Sequence, residues 1–314
     1  MKPVLLYGCE IWGPVTIRDA PLHCPVNFWK KISSDFPIAS KFSLNPPFYE
    51  KIHLKFCKNI LGVNIKTSNI GIYGDLGRYP LYINIVNQCS RYLTHLKETT
   101  TNVLSKNFFD EFDLIHGNSR SPDIQTFVTS TRNILKRKKL HNHCNKRKKL
   151  ISHLQSNFRD YWWEMLNTEE SRTGVGNNKL RTYNKFKTDH ELESYLSPKI
   201  SRENIIAIAR LRLSAHKLNI ECLRYNNKNN YIPPADRICT NCDLNKIENE
   251  SHFLVECPNY DALRRPLFNE FISQCNNFSQ LDLEDKFVYI MSNENEKCIT
   301  ALGNFIRLAL RIRN

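Results

Sequence analysis

The chain has 314 residues, 41% hydrophobic and 11% aromatic, which is enough for sizeable cores and for two domains. No uninterrupted apolar run approaches the ~20 residues of a membrane span, and "MKPVLLYGCEIWGP" at the N-terminus lacks a small-residue cleavage site, so neither a membrane span nor a signal peptide is expected. A formal net charge of +14 makes polyanions the natural partners.

Taken in order, the elements read as mainly α. Phe48, Ile52, Phe56 and Ile60 recur at four-residue steps, and Gly62 follows as a stop signal. After a turn at "GDLGRYP", a second helix puts Ile85, Cys89, Tyr92 and Leu96 on one stripe. These two helices make residues 1–100 a helical region. Residues 101–150 read as a linker, polar and turn-rich at first and then strongly basic. Tyr161, Trp162 and Trp163 open a helical C-terminal domain over 151–314, and "TGVGNNK" within it reads as a loop. A long helix is expected from 202 to about 218. The last segment places Ile299, Leu302, Ile306, Leu310 and Arg313 at helical spacing.

Charge is distributed unevenly. Residues 1–150 hold 23 Lys/Arg against 10 Asp/Glu, whereas 151–314 hold 22 against 21. The peak is "RNILKRKKLHNHCNKRKKL" over 132–150, with nine basic residues and no acid. Arg132, Lys136, Arg137, Lys138, Lys139, Lys146, Arg147, Lys148 and Lys149 are therefore candidates for phosphate contact, against the plainer reading of a solvated linker or an import signal. The letters "HNHC" inside this tract do not amount to a nuclease site, because the His-Asn-His set of a nuclease is spread over a ββα fold.

The most specific chemistry lies in "RICTNCDLNKIENESHFLVECPNY" over 237–260, within a module at 236–260. Its spacing is Cys-x2-Cys-x9-His-x4-Cys. Two cysteines two residues apart can face one ion from a tight turn, and a His and a Cys about a turn apart can complete a tetrahedron. Cys239, Cys242, His252 and Cys257 are thus read as ligands of one structural zinc, with no position left for an activated water. Pro258 ends the short helix carrying His252, and Asn259 is placed to cap the next, through Tyr260, Leu263, Leu267 and Phe271. The odd count of eleven cysteines, four of them in this pattern, points to a reducing intracellular compartment, nuclear or cytoplasmic. The stretch 231–270 is itself acidic, with four Lys/Arg against seven Asp/Glu.

Five stretches occur in the order of one family. "KPVLLYGCEIWG" resembles the start of a thumb region, and "LKFCKNILGVNIKTSNIGIYGDLGRYPL" is similar to a thumb-and-connection stretch. "LRTYNKFKTDHELESYL" and "LRLSAHKLNIECLRYNN" resemble a helical lead-in, and "ADRICTNCDLNKIENESHFLVECPNYDALR" resembles a terminal zinc-binding region. Together they resemble the C-terminal part of the reverse transcriptase of non-LTR retrotransposons of the LINE/jockey-like kind. The resemblance implies RNA or DNA as partner, with Arg237, Arg264 and Arg265 flanking the site as local phosphate contacts; pairing with Asp236, Glu256 or Asp261 is the alternative for these arginines.

The chain departs from that family where catalysis would sit. The family's polymerases hold two metal ions with a Tyr-x-Asp-Asp turn and a third carboxylate, and this chain has no two consecutive aspartates. The resemblance begins beyond the palm, so no catalytic residue carries over and no enzyme is expected. The reading is a non-catalytic remnant, decayed or separately encoded, that binds nucleic acid. The alternatives are a zinc-stabilised protein-interaction module and a polymerase fragment acting only with a separate palm.

Overall fold

The computed structural model describes residues 6–9, 48–98, 147–167, 179–225 and 230–313. These are mainly helical, with three isolated antiparallel bridges and no strand among them. None of their helices is long and apolar enough to cross a membrane.

Helix α1 (Phe48–Leu61) stops as the sequence suggests. Gly62 sits at φ +64°, where a β-carbon is strained. Its N–H donates to Asn59 O (3.2 Å) and that of Val63 to Lys58 O (3.1 Å), the paired closure of a Schellman cap. The buried face is not the one expected, however. Phe48 is 78% exposed and Ile52, Phe56 and Ile60 are half-buried, while Leu54, Cys57 and Leu61 point inward. Glu50, His53 and Lys58 are buried with them because each has a partner. Glu50 accepts from Leu81 N–H (2.7 Å) and lies 2.9 Å from His53 Nδ1, and Lys58 Nζ donates to Ile65 O (2.7 Å).

After helix α2 (Asn69–Asp75), helix α3 (Leu81–Glu98) buries Ile85 and Cys89 as its pattern requires and leaves Tyr92 at the surface. Helix α4 (Arg147–Leu166) turns Leu154, Phe158, Tyr161 and Trp162 inward and leaves Trp163 45% exposed. The boundary expected at 150 therefore falls inside a helix. "RKKLISH" contains neither Pro nor Gly and extends the helix back from Leu154.

The contacts divide the chain differently from the expected 1–100, 101–150 and 151–314. One unit is Met1–Leu54 with Tyr79–Trp162; the other is Lys55–Arg78 with Trp163–Asn314. In the first unit the Tyr79 ring meets Phe158 edge-on at 5.8 Å. In the second, the excursion 55–78 is held among C-terminal elements. A β-carbon on Gly71 would lie 2.7 Å from Leu213 Cδ2, and one on Gly62 2.7 Å from Ile206 Cγ1, so both glycines permit close packing.

Asp75 of that unit is fully buried, accepting from Tyr183 Oη (2.8 Å), Tyr195 Oη (2.7 Å) and Arg212 Nη2 (3.2 Å). Burial, and then the Asp75 charge, push both phenols well above their ordinary range, so they stay protonated and donate. This is the carboxylate of "GDLG", which holds structure together rather than a metal. Tyr183 lies on the one-turn helix α5 (Tyr183–Phe186).

Helix α6 (Arg202–Arg212) begins at Ser201, whose side chain accepts from Asn204 N–H, and stops well before the expected 218. Ser214 takes the left-handed conformation at φ +50°. Its N–H donates to Leu211 O and that of Ala215 to Arg210 O (2.8 Å), a Schellman closure without glycine. The hydroxyl offsets the strain by donating to Lys179 O (2.6 Å). A short helix α7 (Asn219–Cys222) follows.

Helices α8 (Asp261–Gln274), α9 (Leu283–Met291) and α10 (Glu296–Arg313) complete the unit, with α6 and α8 both packed on α10. Ile299, Leu302 and Ile306 are buried as expected. Asn259 does not cap α8. Pro258–Tyr260 forms a 3-10 turn, and Tyr260 occupies the cap position with its ring buried 5.1 Å from Phe253 and 6.5 Å from Phe305. Burial of that aromatic ring wins over a side-chain cap.

Candidate metal centre

The first half of the site is a turn closed by a single bridge. Ile238 pairs with Ile247, Cys239 N–H donates to Lys246 O (2.8 Å), and Glu248 N–H donates to Arg237 O (3.0 Å). Asn245 takes the left-handed conformation at φ +51°, which Asn tolerates better than most residues. Cys239 and Cys242 ride on this turn.

The second half is a π-helical turn, His252–Glu256. Cys257 N–H reaches back five residues to His252 O (2.8 Å), so the extra residue in the turn sets Cys257 beside the histidine. Asn249 Oδ1 accepts from His252 N–H (2.8 Å) and starts the turn; Pro258 follows Cys257, and the turn ends at Glu256 as the sequence suggests.

One donor atom from each of Cys239, Cys242, His252 and Cys257 lies within 4.8 Å of every other, and Cys242 Sγ is 3.4 Å from His252 Nε2. A tetrahedral site with Zn–S of ~2.3 Å and Zn–N of ~2.0 Å has edges of roughly 3.5–3.8 Å. The four residues can therefore hold one metal ion once their donor atoms close in by about an ångström.

His252 Nδ1 lies 3.0 Å from Glu256 Oε2, which fixes the ring and leaves Nε2 facing the sulfurs. Glu256 is in turn held by Lys246 Nζ (2.6 Å). Against the push of burial, hydrogen bonds from Lys246 and His252 keep the Glu256 carboxyl below the usual range. In the metal-free chain, burial raises the Cys239 thiol and pushes Cys257 up to about 12, with the Asn241 and Asn259 N–H groups acting in opposition. Metal capture must therefore expel thiol protons.

The surrounding residues hold the two halves in place. Glu248, fully buried, accepts from Asn219 N–H (2.6 Å) and receives a two-pronged contact from Arg313 at 2.8 Å for both Nε and Nη2. Glu250 accepts from Arg181 Nη2 (2.5 Å), and lies 3.1 Å from Ser214 Oγ and 2.8 Å from His216 Nε2. Leu218 N–H donates to His216 Nδ1, which leaves the proton on Nε2 to face Glu250. These partners lie 29 to 69 residues from the carboxylates they meet, and nothing in the local sequence marks them.

Two of the flanking arginines are not available to phosphate. Arg237 is 1% exposed and donates to Ile220 O (2.6 Å) and Ile232 O (2.6 Å), with its guanidinium 5.2 Å from the Tyr231 ring centre. Arg264 is 4% exposed; it donates to Leu254 O (2.9 Å) and to Cys257 O (2.7 Å), and pairs with Asp261. Both donate to carbonyls of the irregular turns, and Arg264 thereby grips the backbone of a candidate ligand residue. Arg265 is exposed.

Of the basic tract, Arg132, Lys136, Arg137, Lys138, Lys139 and Lys146 lie outside the described residues. Arg147, Lys148 and Lys149 form the first turn of α4, with Lys148 exposed. In comparisons with known proteins the chain matched no family model, no curated protein and no solved structure.

Proposed function

We propose that the chain is a non-catalytic, nucleic-acid-binding piece of a LINE/jockey-like reverse transcriptase, folded around one structural zinc ion. The observation that carries the zinc is the convergence of Cys239, Cys242, His252 and Cys257, with His252 already aimed by Glu256. Three thiolates and an imidazole suit zinc among the divalent ions, and four protein donors leave no position for water. The ion would contribute folding energy to a stretch too short to build its own core.

The retroelement assignment is supported by the five ordered sequence stretches alone. With no paired-aspartate set to hold catalytic metals, no nucleotidyl transfer is assigned. The nucleic-acid half is supported by the charge of +14 and by the acid-free run over 132–150. The inward turn of Arg237 and Arg264 and the net acidity of 231–270 favour a second reading, in which the metal region docks a protein.

Elemental analysis of purified protein should find about one equivalent of zinc, lost in Cys242→Ser. Neutralising Lys136, Arg137, Lys138, Lys139, Lys146, Arg147, Lys148 and Lys149 together should flatten the salt dependence of oligonucleotide binding. Binding that survives this change and disappears with Cys242→Ser would make the metal region the reader. No binding by either form would leave the protein-docking reading.

A further inference from the structure

A second group of basic residues, separate in sequence from the tract and from the metal-site residues, occurs where α1 ends against α6. We propose that Lys55, Lys66, Arg202 and Arg210 form a phosphate-tracking surface for single-stranded nucleic acid. The inference deepens the nucleic-acid reading above and rests on it.

Four observations carry it. First, all four side chains are exposed, and among the described residues none has a carboxylate partner. Second, the only acid in Lys55–Arg78 is Asp75, which is fully buried among Tyr183, Tyr195 and Arg212, and the one acid of α6, Glu203, is exposed but paired with Arg307 (2.8 Å).

Third, the arginines are anchored by main-chain carbonyls. Arg202 Nη2 donates to Asn59 O (3.0 Å) and Arg210 Nε to Gly62 O (2.8 Å), which leaves both terminal nitrogens of Arg210 without a partner among the described residues. A guanidinium fixed this way keeps its charge and loses little further entropy on meeting a phosphate. Fourth, Arg202, Ile206 and Arg210 share one face of α6, and Ile206 fills the gap beside Gly62. The helix rise over eight residues sets the two arginines about 12 Å apart along α6.

A purely structural role for the arginines is that they satisfy carbonyls at the C-terminus of α1. Lys55 and Lys66 make no such bonds, so they separate the two roles. The experiment uses the full chain with labelled oligouridylate and oligothymidylate, titrated between about 50 and 200 mM salt. Lys55→Gln with Lys66→Gln should leave thermal unfolding unchanged and reduce the slope of log affinity against log salt by about 1.4, at roughly 0.7 per phosphate contact. Adding Arg202→Gln and Arg210→Gln should double that loss. The same series in the tract-neutralised chain should remove the binding that remains there.

An unchanged slope in the lysine pair, with binding otherwise intact, overturns this surface and leaves the nucleic-acid reading standing. Failure of the unaltered chain to bind either oligonucleotide overturns both. Capture of the chain by phosphatidylserine vesicles, lost in the lysine pair while oligonucleotide binding is unaffected, also overturns it.

Discussion

Glu256 touches no candidate metal-binding atom, yet it decides which nitrogen of His252 does. Its Oε2 holds Nδ1, and without that contact the ring can rotate or change tautomer. Glu256→Gln keeps the shape and removes the charge. It should weaken zinc binding by about 10–100-fold, read by competition with a chromophoric chelator, while leaving one equivalent bound at saturation. Affinity equal to that of the unaltered chain would mean the ring is positioned by packing alone. Lys58 shows the opposite use of a charge. Burial lowers its pKa from 10.5 to about 8. Below pH 8 both folded and unfolded chains hold the proton, so the cost of burying the ammonium is fully present. Between pH 8 and 10.5 only the unfolded chain keeps it, and stability rises with pH. Lys58→Met should therefore gain most over the parent at pH 7, and the difference in Tm should shrink as pH approaches 10.5. A difference independent of pH would show that Lys58 is not buried as a cation.

At the scale of elements, what the sequence made legible was what is local in the chain. The four candidate metal-binding residues lie within 19 consecutive residues, so spacing alone located the cluster. The ends of α1 and α6 show the contrast. Gly62 announces its cap, whereas Ser214 adopts the same backbone conformation because its hydroxyl reaches Lys179 O, 35 residues away. The inward face of α1 was misread because three polar residues on it are satisfied when buried: Glu50 by Leu81 N–H, 31 residues on, His53 by Glu50, and Lys58 by Ile65 O. Asp75 was invisible as a structural centre, since its partners lie 108 to 137 residues on. Close helix approach was equally illegible. Gly303 in α10 faces α6, where an added β-carbon would stand 2.4 Å from Asn204 Cβ and 3.0 Å from its Cα. Gly303→Ala should gain up to ~1 kcal/mol in helix propensity but cost about 1–3 kcal/mol in overpacking. The clash wins because part of it is with backbone, so the melting temperature should fall. A rise would mean that α6 and α10 can separate slightly without loss.

Across the molecule, stability is not supplied evenly. The first unit draws on long helices with apolar faces, such as Ile85 and Cys89 of α3 and Phe158 of α4. The stretch 231–260 has one internal bridge, a second from Tyr231 to Tyr225, two one-turn 3-10 segments and a π-helical turn, with few buried aliphatic side chains of its own. It is tied to α10 through Phe253 against Phe305 at 5.6 Å and through Arg313 on Glu248. Those ties fix its position, but they do not replace the four ligands that close its two turns on each other. A strong chelator should therefore act locally. Amide exchange should speed up first over 231–260 and then in the last turn of α10, where Arg313 loses its anchor, while amides of α3 keep their protection. Re-adding zinc should restore the original pattern. If chelation instead raised exchange across α3 as well, the two units would unfold as one. If it changed nothing over 231–260, the Cys/His cluster would not be a folding element at all.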